Sequence, residues 1–187
     1  MQPREIISTK EFHLIIKRLA YQLIENHGDF SDTVLIGLQD RGVYLADKLG
    51  EELRKMKPKS TIYVGHLDIT FFRDDFRRSN KPILANSTQI DFIIENKKVV
   101  LIDDVLFTGR TVRAGLDAML AYGRPALVEL LAFVDRRYKR ELPIQPSYVG
   151  KIVDSIVQEK VIVEWERLEG KDRVMMFSSE MSQDSSQ

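Results

Sequence analysis

The sequence contains no cysteine among its 187 residues, which excludes a disulfide framework, a thiolate zinc site and a cysteine nucleophile. It also lacks an apolar run long enough for a signal peptide or a membrane span. We therefore expect a cytoplasmic protein with no membrane partner. An excess of one charge sign is missing as well, because basic and acidic residues both number 28. The net charge gives no reason to expect nucleic acid as a partner, although a local basic patch is compatible with it.

The length and composition fit one α/β domain. Hydrophobic residues make up 43% of the sequence, which is enough to bury a substantial core in a chain of this size. We expect a single domain over residues 1–177. Residues 178–187 are rich in serine and glutamine, so we expect them to form a disordered tail.

Helical and strand-like patterns alternate along the chain, which predicts a mainly parallel central sheet flanked by helices. Helical periodicity covers residues 10–26, 43–53 and 109–122, and a polar stretch over residues 73–87 predicts a mobile loop. Runs of apolar, β-branched and aromatic residues predict strands at residues 34–38, 61–72, 98–102, 126–134, 148–149, 161–163 and 174–177.

The residues with the clearest chemical meaning follow the apolar strand at residues 98–102. Asp103 and Asp104 come at its carboxyl end, the edge where ligands bind in open α/β sheets, and we expect them to be exposed there. Thr108-Gly109-Arg110-Thr111 then opens a helix, whose N-terminal amides and dipole favour a phosphate group. Carboxylates suit ribose hydroxyls, or a magnesium ion held through water. Together these residues predict a site for a phosphorylated ribose.

A structural interpretation of the same residues is also available. An isolated Asp-Asp pair usually caps a helix or forms a turn, and Thr-Gly is common in turns. Here an apolar strand, two acids, further apolar residues and Thr-Gly-x-Thr form one unbroken run. Such a run is much more specific than any of its parts, so the functional interpretation is preferred.

The run from Val99 to Thr111 resembles the signature by which type I phosphoribosyltransferases bind 5-phosphoribosyl-1-pyrophosphate (PRPP). Within that superfamily the chain resembles the PyrR family, whose members are bifunctional uracil phosphoribosyltransferases and RNA-binding attenuators of pyrimidine operons. The segments that support this closer resemblance are residues 42–46, 67–75, 108–117, 123–125, 134–136, 140–144 and 148–151.

The resemblance implies roles for the signature and for a loop after the first apolar strand. Asp103 and Asp104 are expected to bind PRPP and, through water, Mg²⁺, and Asp104 is also expected to act in catalysis. The family's pyrophosphate loop corresponds to Asp40, Arg41 and Gly42, although the family usually has threonine in place of Asp40. Without the resemblance, a surface turn explains Arg41-Gly42 equally well. The remaining PRPP-binding positions are Val105, Leu106, Phe107, Thr108, Gly109, Arg110 and Thr111.

The resemblance also implies a flexible arm that closes over the substrates and a small hood that covers the base. The arm corresponds to about residues 68–90, where Arg73 is the candidate for a catalytic phosphate contact. Internal pairing within a solvated charge cluster is the alternative for this arginine. The hood corresponds to about residues 135–160. The base is expected to be read through main-chain groups beside Val134, Asp135, Arg136 and Val153.

The RNA-binding half of the resemblance is weaker in this chain. Family members usually continue the Gly-Lys pair with polar residues, whereas Lys151 is followed here by Ile152-Val153-Asp154. A basic face for a pyr mRNA leader would include Lys17, Arg18, Arg140 and Lys151. An ordinary solvated charged surface explains these residues equally well.

The expected reaction is conversion of uracil and PRPP to UMP and pyrophosphate, with Mg²⁺ as cofactor, by a homodimer or homotetramer. Two other functions remain open. One is a purine phosphoribosyltransferase acting on hypoxanthine or guanine. The other is a regulator that binds nucleotides without catalysis, which Asp40 and the altered segment after Lys151 both motivate.

Overall fold

A computed structural model describes residues 2–73, 87–156 and 158–178. The loop expected at residues 73–87 and the tail expected at residues 178–187 lie almost wholly outside these ranges. The elements in chain order are β1 (Gln2–Ile7), α1 (Thr9–His27), β2 (Thr33–Leu38), α2 (Gly42–Met56), β3 (Tyr63–Leu67), a short 3-10 turn (Thr70–Phe72), β4 (Lys98–Leu106), α3 (Arg110–Met119), β5 (Leu127–Arg136), β6 (Tyr148–Val153), β7 (Lys160–Glu164), α4 (Glu166–Glu169) and β8 (Arg173–Ser178).

The centre of the fold is a five-stranded sheet in the order β3-β2-β4-β5-β6. Every neighbouring pair in it is parallel. Alternate residues of β4 pack on opposite faces: Val100 and Ile102 join the core under α1 and α2, whereas Val99 and Leu101 join the core under α3. Because helices cover both faces, functional groups can meet solvent at the ends of the strands. The predicted α/β fold is confirmed.

A smaller antiparallel sheet, in the order β1-β8-β7, shares the core of α1 and α2. Trp165 directly follows β7 and is fully buried, with its ring centroid 5.4 Å from that of Phe12 and 6.0 Å from that of Tyr44. Residues 135–160, which were expected to form the hood, are divided in the structure. Residues 135 and 136 at the end of β5 and the whole of β6 belong to the central sheet, whereas Lys160 is the first residue of β7 in the second sheet.

The central strand β4 is longer than predicted. It was expected to end at Ile102, but its pairing with β5 continues from Asp103 opposite Ala132 to Leu106 opposite Asp135. The two adjacent carboxylates therefore lie inside a paired strand rather than in the turn that follows it. None of the helices in the described ranges is both long and apolar enough to cross a membrane.

Candidate active site at the carboxyl end of the central sheet

Two adjacent carboxylates define the centre of the candidate site. Asp103 is only 5% exposed and Asp104 is half-buried, so the expected exposed strand end is wrong. Both carboxylates are shielded because β4 continues past them and β5 pairs along one side of β4. The backbone N–H of Asp104 donates to Asp103 Oδ1 over 3.1 Å, and that of Val105 donates to Asp104 Oδ1 over 2.8 Å.

Burial changes the acidity of both groups. It raises the pKa of Asp103 well above the usual range, and the neighbouring Asp104 carboxylate adds to the rise, whereas the positive charge of Arg73 opposes it. Burial likewise raises the pKa of Asp104 to about 6. The hydrogen bond from the Val105 N–H and the positive charge of Arg41 oppose that rise, and the Asp40 carboxylate adds to it. The fold thus brings Arg73, Arg41 and Asp40 within electrostatic reach of the two carboxylates.

Residues 107–111, which are predicted to bind the 5-phosphate and are called the phosphate loop here, connect β4 to α3. Gly109 has a left-handed backbone with φ of 92°, a conformation that favours glycine, and it directly precedes the first helical residue, Arg110. Gly109 itself has no side chain to cap this helix, and the Thr108 hydroxyl accepts from the backbone N–H of Arg110 over 3.4 Å. Thr108 and Thr111 are half-buried, and Leu106, just before the loop, is buried in the core. Leu106 can therefore contribute only main-chain atoms to a ligand.

A segment for which no role in PRPP binding was predicted, residues 140–144, packs against this loop. A Cβ on Gly109 would meet Ile144 Cδ1 at 3.2 Å, and the backbone N–H of Glu141 donates to the Thr108 carbonyl over 3.0 Å. Arg140 donates to the Phe107 carbonyl and to the Asp135 carboxylate. The sequence contained a signal, because residues 140–144 are among the segments that resemble the PyrR family, but no chemical pattern assigned them to the phosphate loop.

The pyrophosphate loop, residues 39–42, lies directly against the carboxylate strand. A Cβ on Gly42 would come within 2.5 Å of the Ile102 carbonyl oxygen and 3.2 Å of Asp103 Cα, so only glycine allows this approach. The Gln39–Asp40 peptide bond is cis, and Asp40 is exposed. The structure therefore brings the backbone of the predicted pyrophosphate loop beside Asp103.

The side chain of Arg41 was predicted to neutralise the leaving pyrophosphate, and in the structure it is bonded to the main chain of β7 and to α4. Its guanidinium donates to the Val163 carbonyl and to Glu169 Oε1, each over 2.7 Å. Glu169 lies on α4, a short helix that the sequence did not predict and that is 128 residues away along the chain. No sequence pattern over that separation indicates such a pair.

Both ends of the predicted arm are fixed next to the pyrophosphate loop. His66 and Gln89 exchange two backbone hydrogen bonds of 2.8 Å, and Thr88 Oγ1 accepts from the backbone N–H of Asp68 over 3.1 Å. Gln39 Nε2 donates to the Ser87 carbonyl over 2.9 Å. Arg73 is exposed just after the 3-10 turn, and residues 74–86 of the expected arm lie outside the described residues.

The residues expected beside the base are all buried. Val134 is fully buried and paired with both β4 and β6, and Val153 is 8% exposed, so their side chains offer little surface to a ligand. Arg136 Nε donates to Ser155 Oγ over 2.7 Å, and its guanidinium lies 3.9 Å from the centre of the Phe107 ring. Burial lowers the pKa of Arg136. Its side chain thus joins β5 to the phosphate loop and to the segment after β6.

The residues expected to contact RNA have different surroundings. Lys17 is exposed on α1. Arg18 donates to the Val149 carbonyl over 3.0 Å, and Lys151 Nζ pairs with Glu11 Oε1 over 2.8 Å, so both join α1 to β6. Arg140 instead contacts the phosphate loop, as described above.

The donor set at the carboxylates fits a magnesium ion. Within residues 2–73, 87–156 and 158–178, no three His, Cys, Asp or Glu side chains are grouped so as to hold a metal. Mg²⁺ does not require such a group, because it is commonly held by one or two carboxylates together with waters and substrate phosphates. Asp103 and Asp104 provide that minimal set.

Known proteins resemble this chain in sequence and in fold. Residues 4–165 match a family model described as a phosphoribosyl transferase domain. The bifunctional protein PyrR of Gloeothece citriformis is 45% identical over 173 residues, which cover 92% of this chain and 96% of that protein. The bifunctional protein PyrR of Bacillus subtilis is 37% identical over 181 residues, which cover 96% and 99%.

A solved hypoxanthine phosphoribosyltransferase from Staphylococcus aureus superimposes with a TM-score of 0.68 at 18% identity, covering 94% of this chain and 92% of that one. At that identity the likeness shows the fold alone. The sequence relatives are much closer and span nearly the whole chain. With a phosphoribosyl transferase domain over residues 4–165 and these relatives, the chain belongs to the PyrR family of phosphoribosyltransferases.

Proposed function

We propose that the protein transfers the phosphoribosyl group of PRPP to uracil, giving UMP and pyrophosphate. The observation that supports this most strongly is the arrangement at the carboxyl end of β4. One buried and one half-buried carboxylate, Asp103 and Asp104, lie between a loop that opens a helix and a glycine loop packed on the same strand. In that arrangement the carboxylates suit the ribose, the loop that opens the helix suits the 5-phosphate, and the glycine loop suits the pyrophosphate.

PRPP binds with its 5-phosphate at the N-terminus of α3. The amides of residues 108–111 and the hydroxyls of Thr108 and Thr111 supply donors there, and the helix dipole favours the negative charge. The ribose hydroxyls donate to Asp103 and Asp104. Val105, Leu106 and Phe107 set the path of the chain between these two parts of the site.

The pyrophosphate lies at Asp40, Arg41 and Gly42. The close packing of Gly42 on β4 supports this placement, because it puts the loop backbone next to the carboxylates. Arg41 acts through its charge, which already opposes the rise in the pKa of Asp104 that burial causes. Asp103 and Asp104 hold Mg²⁺ through water, and the ion, when bound, offsets the negative charge of the pyrophosphate.

Catalysis depends on stabilising positive charge at the ribose while water is excluded. Asp104 stabilises the developing oxocarbenium-like charge, and Arg73, at the start of the arm, stabilises the departing phosphates. Water must be kept out of the site during transfer, because it competes with the base as nucleophile. Val134, Asp135, Arg136 and Val153 line the base subsite, where main-chain groups position uracil without a general base.

A second activity, binding of a pyr mRNA leader, is part of the proposal because the curated relatives are named bifunctional proteins. Lys17, Arg18, Arg140 and Lys151 are its candidate contacts. We also propose that the chain works in the cytoplasm as a homodimer or homotetramer, with one catalytic domain over residues 1–177.

The reaction is tested by measuring UMP formation from uracil and labelled PRPP with and without Mg²⁺. Magnesium-dependent UMP is the expected result. Turnover of hypoxanthine or guanine with none of uracil would replace the proposed substrate with a purine. Binding of PRPP or UMP in calorimetry with no product from any base would establish a non-catalytic nucleotide sensor instead.

A further inference from the structure

The segment Arg140–Ile144, which we call the brace, contacts the phosphate loop through both main chain and side chains. The backbone N–H groups of Glu141 and Leu142 donate to the Thr108 carbonyl over 3.0 and 3.3 Å. Arg140 donates to the neighbouring Phe107 carbonyl. Two consecutive carbonyls of the loop are therefore turned towards the brace.

The orientation of these carbonyls fixes the orientation of the amides. In a planar trans peptide the C=O and the N–H point in opposite directions. When the Phe107 and Thr108 carbonyls face the brace, the N–H groups of Thr108 and Gly109 face the opposite side of the loop. Those amides are among the donors proposed for the 5-phosphate.

Charged groups strengthen the same contact. Arg140 joins the Phe107 carbonyl to the buried carboxylate of Asp135, which lies in the proposed base subsite. Glu141 accepts from both Nε and Nη2 of Arg110 over 2.7 Å, so the first residue of α3 is held by a two-point ion pair. Arg140 is mostly buried, with 23% of its side chain exposed, which makes its two bonds stronger than those of a surface arginine.

We propose that Arg140 and Glu141 are positioning residues for PRPP: they orient the phosphate-loop amides, and Arg140 couples that loop to the base subsite. This inference rests on the proposed function. It gives Arg140, which the sequence suggested as an RNA contact, a role in substrate binding.

The test compares Arg140→Gln with Arg137→Gln in kinetics and in calorimetric titration with PRPP. Arg137 is a matched control, because it lies three residues earlier and pairs with the exposed Asp154 over 2.9 Å. We expect Arg140→Gln to raise the KM and Kd for PRPP about tenfold, the effect of losing charge-assisted hydrogen bonds. The KM for uracil should change less, and Arg137→Gln should match the parent protein.

Two further variants separate positioning from folding. Arg140→Lys keeps the charge and can bond one of the two acceptors, so it should recover part of the PRPP affinity. Glu141→Gln changes an exposed side chain and should raise the KM for PRPP about threefold, with no change in Tm.

Unchanged PRPP affinity in Arg140→Gln would overturn the proposal. A fall in Tm with equal losses for PRPP and uracil would also overturn it, because that pattern indicates a structural role. The proposed function fails in a different way, when the parent protein binds PRPP but forms no UMP. In that case the calorimetric comparison of Arg140→Gln with Arg137→Gln still decides the role of the brace. If the parent protein does not bind PRPP at all, both the proposed function and the role of the brace are overturned.

Discussion

The two ends of the central sheet bury polar groups in different ways. At the amino end, His27 Nδ1 lies 3.1 Å from Thr33 Oγ1, and His27 Nε2 lies 3.1 Å from the Tyr148 hydroxyl. That hydroxyl donates to Glu129 Oε1 over 3.2 Å. Burial lowers the pKa of His27 and raises that of Tyr148, which favours the neutral form of both. These groups bond one another, as structural polar networks do.

At the carboxyl end, Asp103 and Asp104 are adjacent acids, and burial raises the pKa of both. The positive charges that oppose this rise, Arg73 for Asp103 and Arg41 for Asp104, come from segments outside the strand. Groups that burial perturbs in this way, and that lie where a loop opens a helix, are typical of functional sites. Burial of titratable groups alone therefore does not mark a functional site. What distinguishes the carboxyl end is that its acids lie beside loops suited to a ligand.

Replacement of Arg73 by glutamine should have a large effect on catalysis at the carboxyl end of the sheet. We expect kcat for UMP formation to fall on the order of 100-fold, because one charge on the departing phosphates is lost. The unfolding free energy should change by less than about 0.5 kcal/mol, because the side chain is exposed. Steady-state kinetics and urea unfolding measure the two effects, with Arg137→Gln as control. Full activity in Arg73→Gln would show that Arg73 has no role in catalysis.

The pH dependence should separate activity from stability at Asp104. The folded protein binds this proton more tightly than the unfolded chain, since burial raises the pKa to about 6. The contribution of Asp104 to stability is therefore present at low pH and is lost as the pH rises towards 6. The rate of UMP formation should change in the opposite direction. Well below pH 6 it should fall about tenfold for each unit by which the pH is lowered, because the ionised carboxylate is needed.

Asp104→Asn is the control for both profiles, because it removes the titrating group and retains any titration of the substrate phosphates. The variant should lose the stability slope between the ordinary carboxyl pKa and pH 6. If its stability profile is the same as that of the parent protein, Asp104 does not titrate in this range.

A smaller effect is expected at the amino end. Tyr148→Phe removes the hydroxyl that bonds Asn26, His27 and Glu129. The unfolding free energy should fall by about 1 kcal/mol, because buried polar partners lose a hydrogen bond. The kcat and the KM for PRPP should stay within about twofold of the parent values when measured well below the Tm. A large loss of activity without loss of stability would show that the two ends are not functionally distinct.

The sequence predicted the central sheet because its strands follow local patterns, and the candidate site was proposed from a local pattern as well. Residues 98–111 combine an apolar strand, paired acids and a helix start in one run, and the PyrR family membership that they indicated is confirmed. The continuation of β4 through Asp103 and Asp104 was missed, because aspartate is rare in strands and packing overrides that preference.

Features that depend on distant pairing could not be predicted. β1 contains Pro3, Arg4 and Glu5 and shows no clear alternation, yet it pairs with β8 at the other end of the chain. The bonds from Arg41 to Glu169 and from Arg140 to the phosphate loop likewise join residues whose types alone indicate only surface charge. The individual site assignments therefore stay predictions until they are measured.

The most direct test compares two isosteric substitutions at opposite ends of the sheet, Asp104→Asn and Glu129→Gln, by measuring kcat/KM for PRPP in UMP formation. Each replaces a carboxylate by an amide of the same shape. We predict a loss on the order of 100-fold in Asp104→Asn, where the charge acts on the reacting sugar, and no loss in Glu129→Gln. Equal losses in the two variants, or full activity in Asp104→Asn, would contradict the assignment of the carboxyl end as the site of phosphoribosyl transfer.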